Sequence, residues 1–84
     1  MRNEPKPLTR DEAHRSYSLR DKMTEGDEVT LWYRKRDGSA SVSTGEVSYF
    51  SGRDGMDTMS VTVKTPDKGP RTINLCRVVR FQKH

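Results

Sequence analysis

The chain predicts a mainly β domain closed into a small five-stranded barrel and preceded by one short α-helix. Three observations carry that expectation. Apolar residues alternate with period two from Val29 onward. Asp-Gly turns separate the alternating runs at Asp37-Gly38 and Asp54-Gly55. A capping-box pattern stands at Thr9-Arg10-Asp11-Glu12, ahead of all of them.

Before the helix, Pro5 and Pro7 stand among polar neighbours, so residues 1–8 are expected to form a disordered arm. The helix follows over residues 9–24. Thr9 is its N-cap, Asp11 and Glu12 lie at its positive end, Lys22 lies near its negative end, and Gly26 stops it. Its candidate apolar residues, Ala13, Tyr17, Leu19 and Met23, do not share one narrow face, which suits a helix lying on the barrel.

The β domain is placed at residues 27–84. In the first strand Val29, Leu31 and Tyr33 point one way, and Thr30, Trp32 and Arg34 the other. A second strand runs from about Ser41 to Ser51 and is interrupted by Gly45, where a sharp bend or a close backbone approach is expected. Met59, Val61 and Val63 define the third strand, and Ile73 and Leu75 the fourth. The phase then shifts by one near Cys76, which suggests a tight turn and a closing strand holding Val79 and Phe81. Several short strands with tight turns favour closure.

The run Gly45-Glu46-Val47-Ser48-Tyr49-Phe50, after the turn glycine Gly38, resembles the glycine, hydrophobic and aromatic pattern of the Sm-like family, including its bacterial RNA-chaperone branch. Ile73-Asn74-Leu75-Cys76-Arg77-Val78 is similar to that family's closing strand pair. The resemblance covers about 55 residues from Val29 onward and is shared with other SH3-like barrels. It implies the barrel shape and, by extension, assembly into rings. The family's uridine-binding Asp and Asn have no secure counterpart here, and the basic residue and glycine that follow its isoleucine are replaced by Asn74 and Leu75.

With 84 residues, 30% hydrophobic and 33% charged, the core must be thin, because a domain of this length buries only about 60% of its unfolded surface. The single cysteine, Cys76, excludes an internal disulfide and a cysteine-based metal site, and it reads as a small buried filler. No cofactor is indicated. No apolar run reaches membrane length and residues 1–10 lack a signal-peptide core, so a soluble, cytoplasmic protein is expected. The only histidines, His14 and His84, form no organised acid, base or nucleophile set, and a non-enzymatic protein is expected.

Sixteen Lys and Arg against twelve Asp and Glu leave +4, and ten of the sixteen are Arg. That balance points to nucleic acid, RNA or DNA, held largely through its phosphate backbone. The candidate residues are Trp32, Arg34, Lys35, Arg36, Arg71, Arg77 and Arg80. Trp32 either stacks on a base or is covered by the helix through Leu19 or Met23. Arg34-Lys35-Arg36 is either a phosphate-binding patch or a solvated turn. The acidic Asp27, Glu28, Asp54 and Asp57 interrupt any uniformly basic surface, which suits the alternative, a protein-interaction or self-assembly module working through edge strands.

Overall fold

The computed structural model describes residues 5–84. Helix α1 spans Arg10–Asp21, and the capping box forms as the sequence requires. The Glu12 amide donates to Thr9 Oγ1 at 3.2 Å, and the Thr9 amide donates to Glu12 Oε1 at 3.0 Å. The helix ends earlier than expected, and Gly26 is not its stop. Amides of Lys22 and Met23 bond three residues back, to the carbonyls of Leu19 and Arg20, which tightens the last turn and swings Met23 into the core. Gly26, at φ +96°, instead shapes the following turn, where its amide donates to the Val47 carbonyl and the Val47 amide donates to that of Asp27.

Five antiparallel strands follow: β1 (Glu28–Arg34), β2 (Ala40–Ser51), β3 (Ser60–Thr65), β4 (Gly69–Asn74) and β5 (Val78–Lys83), with a 3₁₀ turn at Leu75–Arg77 between the last two. Their order in the sheet is β4-β3-β2-β1-β5. Strand alternation places Val29, Leu31, Val47, Val61, Val63 and Ile73 on one face, where they form the core with Met23, Met59 and Leu75. Leu19, Tyr33, Phe50, Val78 and Phe81 pack around its margin. The opposite face of β3 is also buried, and hydroxyls settle it: Ser60 Oγ bonds Asn74 Oδ1 at 2.9 Å, and Thr62 shares a 2.9 Å bond with Thr72.

Gly45 pairs with Val29 in an unbroken β1–β2 register and lies close over β3, while the irregularity of β2 falls between Val47 and Tyr49. A side chain there would collide with the backbone of Lys64, so the strand can fold over β3 only at a glycine. A second irregularity lies in β5. Trp32 pairs with Arg80 and Tyr33 with Val78, so Val79 is the extra residue of a bulge. Val79, which the sequence suggested for the closing strand's inner face, is 67% exposed, and the bulge gives the core-facing position to Val78 instead.

Two further expectations are corrected. The sheet is bent but not closed into a barrel: β5 gives its inner edge to β1, β4 gives its inner edge to β3, and β4 and β5 do not pair with each other. The turn between them carries the chain from one sheet edge to the other. The expected disordered arm is tied down at Lys6–Leu8. Asp57 accepts the Lys6 amide and donates its own to the Lys6 carbonyl, while the Leu8 amide reaches Gly55. Pro7 pairs with Met56 without needing a donor of its own. Residues 1–4 of that arm lie outside the described residues.

Candidate nucleic-acid interface

The β1–β2 connection is built by its own side chains. Asp37 Oδ1 accepts the Ser39 amide at 2.9 Å and the Ser39 hydroxyl at 2.6 Å, and these bonds hold its carboxyl below the usual aspartate range. Gly38 supplies the φ of +88° that the turn demands. Arg34 Nη1 donates to the Gly38 carbonyl at 3.0 Å, which lays its guanidinium along the hairpin. The turn therefore presents Arg34, Lys35 and Arg36 together while Asp37 is engaged within it.

The bent sheet brings this hairpin up to β4 and the 3₁₀ turn, which are remote in sequence. Arg34, Lys35 and Arg36 meet Arg71 and Arg77 around a depression of about 350 Å³, with Tyr33 and Asn74 in its wall. Among the described residues no carboxylate lines it. A second depression of about 360 Å³ adjoins it, shares Tyr33, Lys35 and Arg71, and adds Lys68 and Asp67 from the β3–β4 turn. Five of the seven residues proposed from the sequence thus come to one place.

Tyr33 was missed by the sequence reading, which used it as core filling in phase with Leu31. It stands where β1 leaves the core, with its hydroxyl 3.1 Å from Ser43 Oγ. Partial burial pushes its phenol up, but hydrogen bonds from Ser41 and Ser43 and the positive charges of Arg71 and Lys35 outweigh that. The net shift is below the usual tyrosine value. The two serine hydroxyls are the larger of the lowering influences, and the positive charges of Arg71 and Lys35 add to them.

Trp32 and Arg80 lie apart from this group. They face each other across the β1–β5 pair on the opposite face of the sheet, with the Arg80 guanidinium 4.7 Å from the indole centroid. Leu19 and Met23 pack on the core face, which Trp32 turns away from, so helix cover does not explain its half-buried state. Arg80 covers one face of the ring, a surface on which a base would otherwise stack.

Elsewhere, His14 is exposed, and His84 Nε2 shares a 2.6 Å hydrogen bond with Thr30 Oγ1. Cys76 is half-buried, and burial is the main influence raising its thiol pKa above the ordinary value. Among the described residues no three His, Cys, Asp or Glu side chains converge as a metal site, and no helix is long and apolar enough to cross a membrane. No protein-family model matches the chain, and neither a curated protein nor a solved structure does.

Proposed function

We propose that this chain is a non-enzymatic, cytoplasmic protein, similar in its strands to the SH3-like, Sm-like class but with its sheet left open, that binds nucleic acid through its phosphates. One observation carries the reading: five basic side chains from three separate elements line one depression, and none of the other described residues lining it is a carboxylate. Arg34, Arg36, Arg71 and Arg77 bring planar guanidinium groups suited to phosphate oxygens, and Lys35 adds a point charge. The close approach of β3 to Gly45 supports the barrel-like curvature of this class.

The test is binding of a labelled oligonucleotide across a salt series. Affinity that falls steeply with salt, with a log–log slope matching a few neutralised phosphates, is the expected result. No binding at low salt, or a slope near zero, overturns the proposal.

A second reading is a protein-interaction module working through edge strands. It is favoured by the outer edges of β4 and β5, which have no neighbouring strand in the sheet among the described residues. Sedimentation of the full chain shows whether these edges join copies of it.

A further inference from the structure

A groove of about 280 Å³ lies between α1 and β5. No residue lines both this groove and the basic depression beside Tyr33. Its floor is apolar, made by Leu19, Leu75, Val78 and Phe81 with the half-buried Cys76. One wall is β5, the last strand of the sheet, whose outward amides and carbonyls have no neighbouring strand among the described residues. The exposed Val79 stands in that wall.

The other wall is electropositive. His14, Arg15 and Lys22 line it from α1 and its C-cap. The one carboxylate there among the described residues, Glu12, is engaged with the Thr9 amide in the capping box. A ligand entering this groove therefore meets apolar side chains below, backbone hydrogen-bonding groups on one side and cations on the other.

We propose that the groove docks an extended acidic peptide segment of a partner protein. The inference rests on the edge-strand reading given above and assigns that role to β5. The segment adds a strand to β5, sets an apolar side chain on the floor, and turns carboxylates toward Arg15 and Lys22. Nucleic acid has phosphates for the cations but neither an amide ladder for the strand edge nor an aliphatic side chain for the floor. The outer edge of a second copy's β4 carries Arg71 and no acidic residue, so its charge opposes this wall.

The experiment selects binders to the full chain from a displayed library of random peptides of about ten residues, then measures the enriched peptide by fluorescence anisotropy. Enrichment of sequences that alternate acidic and apolar residues is expected. The double charge reversal Arg15→Glu, Lys22→Glu should weaken the selected peptide at least about tenfold, because both sites are on the exposed wall. Methylating alternate backbone nitrogens of the peptide should do the same without touching the protein. Absence of enrichment, selection of basic peptides, or equal binding by the N-methylated peptide overturns the proposal. Binding that responds to Arg71→Glu and not to Arg15→Glu, Lys22→Glu overturns the groove but leaves the edge-strand reading at β4. An oligonucleotide that competes with the peptide in wild type, but not in the Arg15→Glu, Lys22→Glu variant, assigns the groove to nucleic acid and also overturns it.

Discussion

A Cβ placed on Gly45 would collide with the carbonyl oxygen of Lys64, lying closer to it than any relaxed contact allows. The atom it would meet is backbone, held in the β2–β3 ladder by the Glu46–Lys64 pair. Gly38, by contrast, has open space around its missing side chain and needs only its positive φ. Gly45→Ala should therefore destabilise by about 2 to 3 kcal/mol, and Gly38→Ala by about 1 to 2 kcal/mol. Urea unfolding of the two variants measures the difference. Equal losses would mean that β2 can open at Gly45 at little cost.

Ser16 is fully buried on the inner side of α1, and its hydroxyl has no hydrogen-bond partner among the described residues. Ser16→Ala removes an unsatisfied polar atom and raises helix propensity, so stability should rise by up to about 1 kcal/mol. A loss of stability on thermal unfolding would instead assign the hydroxyl a bonding role.

Asp27 and Asp37 are both held below the ordinary aspartate pKa, Asp27 mainly by the Thr24 amide and Asp37 mainly by Ser39. For a carboxylate depressed in the folded state, the stabilisation is complete above its unfolded pKa, near 4. It is lost as pH falls through the lower native value. Stability should therefore be flat above about pH 5 and decline on further acidification. Asp37→Asn should reduce that decline, as followed by pH-dependent unfolding.

Arg71 and Lys35 both line the basic depression and both lower the Tyr33 pKa. Arg71→Ala should raise the Tyr33 pKa in an ultraviolet or NMR titration. In the binding assay, each of Arg71→Ala and Lys35→Ala should reduce the salt slope by about 1. Trp32→Ala should leave affinity within about twofold, because Arg80 already covers the ring on another face. A large loss with Trp32→Ala and none with Arg71→Ala would move the site to the outer face.

The local elements were legible before the fold. Thr9 and Glu12 cap α1 through groups within one turn, Gly38 makes its hairpin through its own backbone, and the period-two runs declare which side of each strand faces the core. Such features depend on neighbours a few residues away. Gly45 was also readable, since an interrupted alternation has few causes, though the atom that excludes a side chain there belongs to β3.

What the tertiary structure decided concerns pairs far apart in the chain. Sequence placed Arg34–Arg36 in one turn and Arg71 and Arg77 in others, and only the bend of the sheet sets them around one depression beside Tyr33. The bulge at Val79, which pairs Trp32 with Arg80, and the docking of Lys6–Leu8 on the β2–β3 loop have the same origin. Closure was overestimated for a related reason. Strand count and turn spacing are local quantities, whereas whether β4 meets β5 depends on the accumulated bend and the direction of the 3₁₀ turn between them. The residues alone thus determined a helix-capped, mainly β chain with a basic balance, and packing of the bent sheet determined where that charge converges.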